Sequence, residues 1–222
     1  MSQPRVAEPP APPPAERGAR ERILAAAVER IARDGIDEVR IARIAMDAGV
    51  STSLVHYHFE TRDALLEQAL EYSYELAGDV RLGPEGDAGG LGSAGRLAAM
   101  IDQCLPYPGM LERDWILWVE LWLRAVRHPE MRPTAGRLYE RMGAWFADAL
   151  REGIERGELQ SGVDPDRLAD RIVALADGYG VRVLFGDMDV AEARREIWDA
   201  VTPALGLQED PPPPLDPENP PR

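Results

Sequence analysis

The stretch Val39-Arg40-Ile41-Ala42-Arg43-Ile44-Ala45-Met46-Asp47-Ala48-Gly49-Val50-Ser51-Thr52-Ser53-Leu54-Val55-His56-Tyr57-His58-Phe59, continuing through Thr61-Arg62-Asp63-Ala64-Leu65-Leu66, decides how the chain folds. Ile41, Ile44, Ala45 and Ala48 recur at helical spacing. Gly49 can supply the positive φ that ends that helix, and Ser51 is a natural cap for the next. Two short helices joined by so tight a turn read as a helix-turn-helix. In the second helix Val55 and Phe59, four apart, face inward with Val50. Thr52, Ser53, Leu54, His56, Tyr57 and His58 are left as a polar and aromatic outer surface suited to a DNA groove.

Ala48-Gly49-Val50-Ser51, His56-Tyr57-His58-Phe59 and Thr61 to Leu66 together resemble the N-terminal domain of TetR-family transcriptional repressors, over roughly Glu16 to Glu71 without a gap. Two features depart from the usual pattern. Arg40 and Ile41 stand where the family commonly has threonines, and Arg62 stands where a lysine is usual. An arginine keeps the charge and can bond a phosphate through a broader fork. The resemblance implies a homodimer that binds a near-palindromic operator and releases it when a small-molecule inducer enters a C-terminal domain.

Composition narrows the alternatives. The chain has 222 residues, enough for one or two domains with a full core. Its net charge of −14 argues against a generally basic nucleic-acid coat, but the acid is unevenly spread. Residues 1–70 hold nine arginines against eleven acids, a net of −2, which leaves −12 for residues 71–222. All 25 basic residues are arginine, a bias that fits a GC-rich genome better than a mechanism. The single cysteine, Cys104, excludes an intrachain disulfide and reads as a packed thiol in a reducing cytoplasm. No apolar run approaches the roughly 20 residues that cross a bilayer, and a soluble cytoplasmic protein without membrane partners is expected.

The expected organisation is all-α: a three-helix helix-turn-helix domain over residues 16–62 and a larger helical ligand-binding and dimerisation domain over 63–207. Pro-rich ends at 1–15 and 208–222 read as disordered. Ile23, Leu24, Ala27, Val28 and Ile31 stripe the first helix, which Asp34-Gly35 ends. Thr61 starts a helix with Leu65, Leu66, Ala69 and Leu70 buried, and Gly83 to Gly90 reads as a flexible loop. Asp114 to Arg127 is apolar nearly all round: Trp115, Trp118, Val119, Trp122 and Val126 share one face, Leu117 and Leu121 widen it, and Arg113, Glu120, Arg124 and Arg127 form a polar strip. Further helices are expected over about 133–156, 166–185 and 190–205, the last two forming a four-helix seam with a second copy. Trp118 to Trp198, with His128 to Arg132, Arg156 to Leu159 and Asp177-Gly178 in register, resembles the BetI-type C-terminal domain, more loosely. That resemblance implies architecture and dimerisation without carrying over a choline ligand.

Thr52, Ser53 and His56 are expected to read base edges and Leu54 to pack on a thymine methyl. Ser51, Tyr57, His58, Arg62, Arg43 and Arg40 complete the DNA surface, with phosphates the natural targets of the larger polar groups. His56 and His58, two apart, diverge by roughly 200° on a helix and make no metal site. Trp115, Trp118, Trp122, Tyr139, Trp145 and Tyr179 are available to line a pocket, and Asp177 interrupts an apolar stripe. Aromatic faces with an acid suit a cationic inducer such as a polyamine or quaternary amine, although tryptophans at helical spacing are more often simply core. An enzyme is not expected, since no nucleophile-base pair, metal-ligand spacing or glycine-rich phosphate loop appears, and neither is a cofactor. The alternative to a ligand-responsive repressor is a helical small-molecule-binding or scaffold protein without operator binding.

Overall fold

A computed structural model describes residues 18–81, 92–207 and 210–213, with side chains over 74–81 and at 110 left aside. The expectations for the 1–15 arm, for the loop from Gly83 to Gly90 and for most of the C-terminal tail lie outside these residues. Two compact units divide between Tyr72 and Ser73.

The first unit is built from α1 (Ala19–Asp34), α2 (Ile41–Asp47), α3 (Thr52–His58) and the start of α4 (Arg62–Arg81). The stripe Ile23, Leu24, Ala27, Val28 and Ile31 is buried on α1, and Gly35 at φ 76° ends that helix with its N–H donating to Ile31 O. Ile44, Ala45, Val55, Phe59, Leu65, Leu66, Ala69 and Leu70 complete the core. The turn between α2 and α3 closes on Gly49 at φ 65°, a backbone conformation open to glycine because it has no Cβ. The Ser51 hydroxyl accepts from Leu54 N–H at 3.2 Å and starts α3, and Thr61 does the same for Ala64 N–H at 3.0 Å at the start of α4. Arg30 on α1 pairs with Asp47 at the end of α2 and with Asp34, and it holds the Asp47 carboxyl below the usual carboxylate range.

The second unit contains α5 (Gly92–Gln103), α6 (Met110–Arg127), α7 (Arg132–Glu155), α8 (Pro165–Leu184) and α9 (Val190–Val201), followed by a 3-10 turn over Thr202–Leu205. α7 packs on α8, α8 on α9, and α5 lies against α7 and α9. Phe146, Leu150, Ile172, Ile101, Leu97 and Ile197 fill the centre. Asp164 caps α8 by accepting from Asp166 and Arg167 N–H, Asp189 caps α9, and Gly157 at φ 73° follows the last turn of α7. Among the described residues no helix is long and apolar enough to cross a membrane.

Helix α6 is rotated from the face expected of it. Asp114, Trp115, Leu117, Leu121, Arg124 and Ala125 are its buried residues, whereas Val126 is 73 % exposed and Val119, Leu123 and Ile116 are also outside. Arg124, expected on the polar strip, therefore lies inside, and Val126, expected on the buried face, lies outside. A helix that is apolar nearly all round offers several stripes of similar hydrophobicity. Its neighbours α7 and the 3-10 turn Pro129–Met131 choose between them.

Candidate nucleic-acid interface and ligand site

Helix α3 is short because its ends are fixed by sequence: Ser51 caps it, and Phe59, turned into the core, leaves the helix in an extended conformation. Val55 and Phe59 anchor its inner side. That anchoring turns Ser51, Thr52, Ser53, His56 and Tyr57 to the outside, with Leu54 and His58 half-buried. Tyr57 is 81 % exposed, its ring in an edge-to-face contact with that of His58 at 5.2 Å between centroids. Arg40 and Arg43 are also exposed, at the start and on the outer side of α2.

Arg62 occupies a different setting. Its Nε donates to Val39 O at 3.0 Å, and its Nη2 donates to Ile36 O at 2.6 Å and to Asp37 O at 3.1 Å. The guanidinium thus holds the carbonyls of the segment that leads into α2. A planar fork with several donors serves that arrangement in a way a lysine ammonium does not.

In the second unit, α6 and α7 bring several aromatic rings together beside a carboxylate of α8. Trp115 and Trp122 meet edge to face at 5.8 Å, Trp118 and Trp122 are 6.2 Å apart, and the Trp122 and Tyr139 rings lie within 16° of parallel at 6.4 Å. The Tyr139 hydroxyl donates to Asp177 Oδ2 at 2.7 Å. Burial pushes the Asp177 carboxyl up to about 6, a rise that the Tyr139 hydrogen bond only partly offsets. Burial and the adjacent Asp177 also raise the Tyr139 phenol, which stays neutral and a donor. Trp122 Nε1 is buried with no hydrogen-bond partner among the described residues, whereas Trp115 Nε1 donates to Cys104 O at 3.2 Å.

Two of the expected pocket residues are placed elsewhere. Trp145 packs on Phe146 at 5.1 Å at the edge of the core. Tyr179 has its hydroxyl 3.4 Å from Glu196 Oε2 on α9, with the Arg182 guanidinium 5.9 Å from its ring centroid.

Comparison with known proteins fits this geometry. Residues 23–69 match the N-terminal domain of bacterial regulatory proteins of the tetR family, and residues 93–205 match the C-terminal domain of BetI-type transcriptional repressors. The chain belongs to the TetR family of transcriptional regulators. It is 25 % identical over 201 residues to the HTH-type transcriptional regulator BetI of Proteus mirabilis, covering 86 % of this chain and 94 % of that one. A BetI regulator of Chromohalobacter salexigens is 26 % identical over 192 residues, covering 84 % and 90 % of the two chains. Among solved structures, a transcriptional regulator from Saccharomonospora viridis in complex with choline superposes with a TM-score of 0.73 at 32 % identity, over 84 % of this chain and 97 % of that one. A TetR-family regulator from Rhodococcus sp. gives 0.71 at 30 %, over 84 % and 98 %. The relatives are named as transcriptional regulators.

Sequence reasoning passed over helix α5 and what it carries. Asp102, at its C-terminal end, pairs with Arg194 of α9 through both carboxylate oxygens, and both side chains are about 95 % buried. Tyr107 OH donates to the same Asp102 at 2.9 Å, and Arg194 Nη2 donates to Pro212 O at 2.6 Å, placing part of the Pro-rich C-terminal segment against α9. Leu97, Ile101 and Leu105, four apart, are the signal that marks α5, although Gly92 and Gly95 weaken it.

Proposed function

We propose that this TetR-family protein is a ligand-responsive repressor that binds a near-palindromic operator as a homodimer and is released by a cationic small-molecule inducer. The outward surface of α3 is the observation that carries the reading: Thr52, Ser53 and His56 exposed together on a helix locked from behind by Val55 and Phe59. Thr52, Ser53 and His56 meet base edges there, Leu54 a thymine methyl, and Tyr57, Arg43 and Arg40 phosphates. Two such helices in a dimer meet successive major grooves about 34–36 Å apart or wider. The seam runs along α8 and α9, where Ala174 and Gly178 lie on the outside of α8 and the 67 % exposed Phe185 follows its last residue. As a DNA-bound regulator the protein works in the cytoplasm.

The inducer site lies between α6, α7 and α8, with Trp118, Trp122 and Tyr139 offering ring faces and Asp177 the counter-charge. Aromatic faces attract a cation, and Asp177 has no cationic side chain beside it among its described partners. A hydroxyl or ether oxygen on the ligand would satisfy Trp122 Nε1. The choline complex of the Saccharomonospora relative makes quaternary ammonium compounds the first to try.

Selection of bound fragments from genomic DNA, followed by titration over several salt concentrations with and without tetramethylammonium, tests both halves. A palindromic site with a steep salt slope, weakened by the cation, is expected. No enriched fragment would favour the helical small-molecule-binding or scaffold alternative.

A further inference from the structure

Gly180 stands one turn beyond Asp177 on the same side of α8, and it is buried beneath the Trp115 ring. A Cβ built on Gly180 would fall on Trp115 Cη2 and Cζ2, with Cζ3 at 2.9 Å. Ordinary carbon contacts need about 3.5–4.0 Å, so even a methyl group obliges the indole to leave. The ring has little choice of direction. Its Nε1 is tied to Cys104 O, its residue is only 7 % exposed, and it meets the Trp122 ring edge to face at 5.8 Å. Displaced from α8, Trp115 moves toward Trp122, whose ring faces Tyr139 and through it Asp177.

We infer that Gly180 is the size-determining residue of the inducer site: by letting Trp115 lie on the backbone of α8 it leaves room, on the side of Trp122, Tyr139 and Asp177, for a bulkier ammonium group than an alanine at this position would. This assignment rests on the cation reading above. Gly180→Ala drives Trp115 inward and leaves room for a smaller ammonium. Trp115→Phe removes the benzo ring that meets Gly180 and widens the site. Gly180 is therefore a specificity residue that touches no ligand itself.

Calorimetric titration of the full-length protein with dimethylammonium, tetramethylammonium and tetraethylammonium chlorides tests this, using the wild type, Gly180→Ala, Trp115→Phe and the double variant. Wild-type protein is expected to bind tetramethylammonium. Gly180→Ala should weaken tetramethylammonium at least about tenfold more than dimethylammonium, the discrimination that one or two methyl groups allow in a fitted pocket. The double variant should bring the ratio back to within about threefold of the wild type, since the methyl and the missing ring compensate. If Gly180→Ala does not fold, Trp115→Phe alone should shift preference toward tetraethylammonium. Wild-type binding with ratios that neither substitution alters would overturn the role of Gly180 and leave the cation reading standing. A wild type that binds none of the three salts would overturn both.

Discussion

Replacing Asp177 with asparagine removes a buried charge while keeping its shape, and Tyr139 OH still finds an oxygen to bond. The carboxyl is raised by burial from 3.8 to about 6. Between those values the folded protein holds a proton that the unfolded chain has released. The native state then binds more protons, so stability falls as pH rises through that window and the loss is complete above about pH 6. At ~1.4 kcal/mol per pH unit, ionising Asp177 costs the folded wild type about 3 kcal/mol at neutral pH. For a chain of this size that corresponds to about 6–12 °C in Tm. Asp177→Asn escapes the cost. Thermal denaturation followed by circular dichroism from about pH 4 to about pH 7.5 should show the variant gaining on the wild type as pH rises, with the gap opening between the two pKa values and then constant. Carboxylates that titrate alike in both proteins cancel in the difference. Tetramethylammonium should close part of the gap by stabilising only the wild type at neutral pH. A gap independent of pH, or a variant less stable than wild type at pH 7, would refute the reasoning, because either would mean that the carboxylate is ionised and compensated in the folded state.

Ser53→Ala and His56→Ala should each cost about 1–3 kcal/mol of operator affinity with far less effect on random DNA, measured by fluorescence anisotropy, whereas equal loss on both would remove them from base reading. Arg62→Gln should destabilise the DNA-binding head by about 2 kcal/mol through the lost carbonyl bonds. The salt slope of operator binding should stay unchanged, and a drop of about 0.9 would make Arg62 a phosphate ligand instead. Asp102→Asn and Arg194→Met should each cost about 3–5 kcal/mol in urea denaturation because each strands a buried charge, and a double Asp102→Leu, Arg194→Met variant should recover most of that loss. Losses that simply add would contradict a coupled pair.

By itself the sequence determined the elements whose signals are local. The stripe on α1, the caps at Ser51 and Thr61, and the positive-φ glycines Gly35 and Gly49 act over a few residues, where periodicity and hydrogen-bonding chemistry are enough. The inward anchors Val55 and Phe59 followed, and with them the outer face of α3. Tertiary structure decided whatever depends on a partner far along the chain. It turned α6 so that Arg124 lies inside and Val126 outside, a choice open to any helix apolar on most sides. It engaged Arg62 with carbonyls 23 to 26 residues away, paired Asp102 with Arg194 across 92 residues, and joined Tyr139 to Asp177 while leading Tyr179 toward α9. It also laid Trp115 on Gly180, a contact no periodicity encodes, because the absence of a side chain carries meaning only once the neighbouring helix has arrived.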